Sequence, residues 1–158
     1  MAPVHELLDT WSSLYSNSPA LRSAMAFAHI GGLLTGGGCA VAADLATMRA
    51  FRRGPDAITH EAARLHDVHR VVIGSLICVV ASGFLLMFAD FDAYLVSTAF
   101  WIKMAAVVAL VINGAWLMRA GDRAARQVHV HHLQLASAAS LLLWTATTLL
   151  GATLPNVL

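Results

Sequence analysis

The sequence predicts an all-α integral membrane protein, a four-transmembrane-helix up-down bundle preceded by a short interfacial helix. Three observations carry this reading. Of 158 residues, 58% are hydrophobic and 12% charged, whereas soluble domains carry about 25% charged residues. Mean hydropathy is +0.69. Four stretches, roughly residues 22–48, 70–89, 94–118 and 133–153, each meet the requirement of about 20 mostly apolar residues for a bilayer-spanning helix. One domain of this length cannot hide so much apolar surface from water, so lipid is the expected solvent for most of the chain. Residues 1–158 read as a single membrane domain.

The elements follow in order. Val4, Leu7, Leu8, Trp11, Leu14 and Tyr15 share one helical stripe, with Glu6, Asp9, Ser12 and Ser13 off it. A short amphipathic helix over about residues 3–16, lying in the membrane interface, is expected. It lacks the basic n-region of a signal peptide, and the apolar run after it is long enough to remain as a span, so no cleavage is expected. In the spans every backbone amide must be satisfied internally, which makes them helices despite strand-like runs such as Val71-Val72-Ile73. Gly54-Pro55-Asp56 marks a turn after the first span, with Thr59 a candidate cap for a short helix running into the second. Asp90-Phe91-Asp92 marks the turn between the second and third.

Charge sets the expected orientation. Eight of the ten basic residues sit in two connections: Arg49, Arg52, Arg53, Arg64 and Arg70 in the first, Arg119, Arg123 and Arg126 in the last. The positive-inside rule puts these in the cytoplasm and both termini on the periplasmic side of a bacterial inner membrane. With short connections, spans 1 and 3 become diagonal partners, as do 2 and 4. A net charge of +1 without a basic run excludes nucleic acid as a partner. Cys39 and Cys78, both inside apolar stretches, suggest neither a disulfide framework nor a zinc site and read as small core residues. No nucleophile–base pair, phosphate loop or paired-carboxylate acid site is visible, so hydrolytic chemistry is unsupported.

Chemistry then rests on the eight histidines and the two charges inside spans. His29 alone lies deep in a span, and at about 100° per residue Gly32 and Gly36 stay on its face. Two readings are open: a slot in which a flat macrocycle lies against backbone while imidazole reaches its iron, or a close helix-packing motif. Lys103 falls at the level of His29 on the diagonal helix. It either snorkels to the surface or pairs with an anionic group, such as a porphyrin propionate, held in the bundle. At the other membrane face, His66 and His69 are three apart, as are His129 and His132, with His131 between. These pairs suggest a shared metal ion, or a haem clamped by His69 and His132, or ordinary interfacial anchoring. Asp44 and Asn113, just inside the same face, are candidates to add an oxygen ligand or to orient an imidazole.

The order of His29 with its following glycines, and then Trp101-Ile102-Lys103-Met104 opening span 3, resembles the HemJ-type bacterial protoporphyrinogen oxidases and the related CopD-like membrane domains. In that family a first-helix histidine and a third-helix lysine near tryptophan are the functionally important pair, and b-type haem is bound. The resemblance implies His29 as a haem ligand and Lys103 as its functional partner. The chain departs from the pattern late in span 3, where Asn113 stands in place of a histidine, and at the entry to span 4, which reads His131-His132-Leu133-Gln134. What carries over is a haem-binding four-helix membrane protein rather than protoporphyrinogen oxidation itself.

Three functions are therefore weighed. The first is a haem b protein of electron transfer or porphyrin-linked redox chemistry, a membrane oxidoreductase if it is an enzyme. It would hold one or two haems, at His29–Lys103 and at His69–His132, with a quinone or redox protein as partner. The second is a copper, zinc or iron binding or transport protein using Asp44, His66, His69, His129 and His132, with His29 a further candidate ligand. The third is a cofactor-free subunit of a homo-oligomer or larger membrane complex, contacting its neighbours through small-residue faces and Trp11, Trp101, Trp116 and Trp144.

Overall fold

The computed structural model describes the backbone of residues 2–153 and the side chains of residues 6–153. Six helices follow one another: α1 (Ala2–Asn17), α2 (Pro19–Arg53), α3 (Pro55–Ala89), α4 (Phe91–Val96), α5 (Thr98–Ala125) and α6 (Val130–Thr153). No strand occurs among the described residues. Four helices, α2, α3, α5 and α6, are long and apolar enough to cross a membrane, which fits a multi-pass membrane protein.

Local chemistry sets the helix ends. Ser18 caps α2 by accepting from the Leu21 amide, with Pro19 pre-set for the first turn. Gly54 alone separates α2 from α3, at φ 111°, a conformation open to glycine and costly for other residues. The expected short helix after it does not exist as a separate element: α3 is continuous for 35 residues. Thr59 is not its cap, because its hydroxyl donates back to the Pro55 carbonyl within the helix. The third span also starts later than residue 94. Residues 91–96 form α4, and Ser97 then caps α5 by accepting from the Phe100 amide.

α2 packs against α3, α3 against α5, α5 against α6, and α6 closes the ring on α2. The diagonal pairs are thus α2 with α5 and α3 with α6. At about 1.5 Å per residue, the 35 residues of α2 reach about 50 Å, well beyond a hydrocarbon core of about 30 Å. The α2 residues Arg49, Arg52 and Arg53 fall at its C-terminal, arginine-rich end. There Ala50, Ile58, Ala62, Leu65, Ala120, Ala124 and Leu133 form an apolar core where α2, α3, α5 and α6 meet.

Midway along the bundle Ala40, Leu110 and Trp144 are buried, and at the far end Met87 and Phe100 pack with Phe88, Phe91 and Tyr94. α1 docks at this far end, where Trp11 Nε1 donates to the Leu85 carbonyl and Ser12 Oγ to the Ala89 carbonyl. Leu8, Trp11 and Tyr15 are half-buried, while Leu7 and Leu14 point outward. Val4 of the expected stripe lies outside the described side chains.

The polarity of the bundle is inverted relative to a soluble one. Phe27 is 80% and Leu142 72% exposed, while Asp44, Thr47, Ser82, Asn113, Ser137, Ser140 and Thr147 are buried. Lipid makes an apolar exterior costless, so helix association there depends on close packing and interior hydrogen bonds. The same inversion corrects the expectation for the cysteines. Both are free, but Cys78 is exposed on the outer surface, with Sγ 3.5 Å from the Ala28 carbonyl oxygen, and Cys39 is only half-buried.

Candidate functional site

His29 and Lys103, on diagonal helices, line one apolar cavity of about 400 Å³ at the far end of the bundle. Val79, Val80, Gly83, Phe84 and Met87 from α3, and Phe100, Met104, Val107 and Ile112 from α5, form most of its wall, with Tyr94 of α4 at its end. That volume lies within the range of about 300–1,000 Å³ found for small-molecule and cofactor sites.

The tautomer of His29 follows from its surroundings. Its Nδ1 is 3.0 Å from Ser82 Oγ. The single hydroxyl proton of Ser82 is directed back at its own helix, with the Cys78 carbonyl at 2.7 Å and the Val79 carbonyl at 3.1 Å. Ser82 Oγ therefore accepts, and His29 Nδ1 carries the proton. Nε2 is left with its lone pair, the form in which imidazole ligates a metal or accepts from a ligand hydroxyl. Ser82 is buried, which holds the ring in this orientation. A side chain at Gly83 would press on the ring, since a β-carbon there would fall 3.3 Å from His29 Cε1.

Lys103 is half-buried, and its Nζ reaches toward the outer end of α6, where a β-carbon at Gly151 would sit 3.6 Å from it. It makes no ion pair among the described residues.

The slot expected below His29 is closed. A β-carbon at Gly32 would lie 2.9 Å from Val79 Cγ2 and 3.1 Å from the Ser75 carbonyl oxygen, and one at Gly36 would lie 2.8 Å from Ser75 Cβ. Both glycines let α3 approach α2 closely, and Gly37 does the same for the ring of Trp144. The space beside His29 opens instead between α3 and α5.

At the arginine-rich end the rings of His129, His131 and His132 cluster, with centroids 4.3–6.2 Å apart, but they form no metal-holding group with His66 and His69 among the described residues. His66 Nε2 is 3.0 Å from Asp122 Oδ1 on α5, in an exposed pair. His69 turns inward and lines a second cavity, of about 210 Å³, with Asp44, Ser140 and Trp144. His132 is not part of that lining. It packs edge-on against Trp116, with ring centroids 6.5 Å apart, and beside His131 at 4.3 Å. His129 precedes α6 in a left-handed conformation, φ 49°, yet its carbonyl accepts from the His132 amide at 3.0 Å and the two rings lie edge-on with centroids 5.6 Å apart. Asn113 bonds to no imidazole among the described residues; its Nδ2 donates to the Ala136 carbonyl at 3.1 Å and ties α5 to α6. Among the described residues no group of three or more His, Cys, Asp or Glu side chains is placed to hold a metal ion.

Sequence reasoning missed Ser82 as the partner of His29, Tyr94 in the outer cavity, and Ser137 and Ser140 beside Asp44. Ser82 carried a readable signal as the lone polar residue in the apolar run Ile77–Met87 apart from Cys78. Compared with family models, curated proteins and solved structures, the chain finds no match.

Proposed function

We propose that this chain is a haem b-binding membrane protein of electron transfer or porphyrin-linked redox chemistry, with the cavity between α3 and α5 as its haem site. One observation carries the reading: His29, its Nδ1 held 3.0 Å from Ser82 Oγ, lines the same apolar cavity as Lys103. The residues fit the group. The bare nitrogen of His29 would hold the iron, the Lys103 ammonium would suit a propionate, and the valine and phenylalanine walls would suit the faces of a macrocycle. Haem, when bound, supplies one-electron chemistry.

The chain's own residues do the rest. Ser82 fixes the His29 tautomer, Lys103 supplies the positive charge that orients an anionic edge, and Met87, Phe100 and Met104 keep water from the ligand. A quinone or a redox protein is the corresponding partner. The orientation adopted is the one in which the arginine-rich end faces the cytoplasm of a bacterial cell and the His29 cavity lies toward the periplasmic face. A single haem is favoured over two, since His69 and His132 do not share a cavity.

The transition-metal reading has less support, because His66, His69, His129, His132 and Asp44 do not gather into one ligand set. The test is the absorbance of the purified protein with and without added haem. A Soret band lost in His29→Ala is expected, and its absence from the wild-type protein after haem addition would sink the reading.

A further inference from the structure

Asp44 is 1% exposed, and neither carboxylate oxygen has a hydrogen-bonding partner among the described residues. Thr47 Oγ1 and Ser137 Oγ are buried and unpartnered in the same way. Native interiors rarely leave such groups unmet, and least of all a carboxylate. These atoms belong together. Asp44 and Thr47 stand one turn apart on one face of α2, Ser137 and Ser140 one turn apart on α6, and the two helices pack against each other. Ser140 and Ser137 stand within hydrogen-bonding reach of the carboxylate, although neither hydroxyl is aligned to complete a bond with it. Asp44 and Ser140 also line the inner cavity, whose volume of about 210 Å³ holds several waters at about 30 Å³ each.

We propose that Asp44, Thr47, Ser137 and Ser140 form a binding site for one hard monovalent cation of the Na⁺ type, between α2 and α6. The donor set selects the ion. A carboxylate and three hydroxyls are hard oxygen donors, poorly suited to copper, zinc or iron beside softer competitors. One carboxylate neutralises one positive charge, whereas a divalent ion would leave an uncompensated charge inside an apolar bundle.

A proton on Asp44 would neutralise the charge as well, and Ser137 and Ser140 could then pair with the carboxyl, but the Thr47 hydroxyl would stay unmet. A cation among them engages all four side chains. Among the described residues no arginine or lysine competes for the place, since Asp44 makes no ion pair there and His69 is the one other titratable side chain of the cavity lining. Thr147 Oγ1 is also buried without a partner, but it lies two turns farther along α6 and takes no part. The site is independent of the haem reading, which uses the other cavity.

The test measures radioactive ²²Na⁺ retention by equilibrium dialysis, together with the thermal midpoint of the purified full chain. NaCl, KCl or LiCl replaces choline chloride at constant ionic strength and fixed pH. One ion bound per chain and a saturable rise in midpoint are expected, with affinity at least tenfold weaker in Asp44→Asn and in Ser137→Ala. If Asp44→Asn does not fold, Ser137→Ala and Thr47→Ala carry the comparison. Failure of all three alkali ions to bind, equal binding by the variants, or a midpoint that follows pH but none of the ions overturns the proposal, the last result in favour of a proton alone.

Discussion

The outer and inner cavities share one wall residue, Val111, and treat their polar groups in opposite ways. In the outer one, His29 is already tied to Ser82, and Ser82 in turn to its own helix. Its remaining nitrogen is thereby prepared for a ligand that arrives from outside the hydrogen-bond network. In the inner one, Asp44 completes no aligned hydrogen bond among the described residues, and the Thr47 and Ser137 hydroxyls are in the same condition. A satisfied network fixes the geometry of one free atom, while an unsatisfied one calls for something placed among its members. The same bundle thus offers a preorganised ligand at one level and an uncompensated charge at another.

Variants that separate stability from ligand binding sharpen this contrast. The largest stability effect belongs to neither cavity. Leu133 is fully buried in the apolar core at the arginine-rich end, so Leu133→Ala should cost about 2–5 kcal/mol in reversible unfolding from detergent micelles, with haem affinity unchanged. Gly36→Ala comes next. Its added methyl would meet Ser75 Cβ at 2.8 Å, and forcing α2 from α3 should cost about 1–3 kcal/mol by the same measurement. A stable Gly36→Ala protein with altered haem binding would instead restore the slot reading of the glycine face.

Ser82→Ala tests the outer network alone. It should leave unfolding nearly unchanged but weaken haem affinity about 10–100-fold, the usual cost of removing the group that orients a ligating imidazole. At the bottom of the scale, His66→Ala removes only an exposed pair with Asp122, and a change within about 1 kcal/mol in unfolding is expected. Loss of a bound ion in that variant would reopen the inner histidines as ligands.

Much of this architecture is legible in the residues. Span number and approximate position follow from hydropathy, because the bilayer demands about 20 apolar residues and helices are the only way to satisfy the backbone there. The depth of His29 and Lys103 follows from counting turns. Partners are a different matter. The stripe of Gly32 and Gly36 reads equally as a slot or a seam, and only the position of Ser75 and Val79 on α3 decides which.

In the sequence Asp44 groups with the histidines, because they fall near one membrane face. Its actual neighbours, Ser137 and Ser140, repeat its three-residue spacing with Thr47 on an antiparallel helix. That pattern becomes informative only once α2 and α6 are known to touch. Small hydroxyl residues in spans are common as packing elements, so their spacing alone does not distinguish a site from a seam.

The central claim, that His29 is the cofactor-binding atom source of the outer cavity and that the inner cluster is separate from it, is tested most directly by titrating haem into the wild-type protein, His29→Ala and Asp44→Asn while following the Soret band. A saturable band of one haem per chain is predicted for the wild type and Asp44→Asn, and none for His29→Ala. Equal haem uptake by His29→Ala and the wild type would contradict the account.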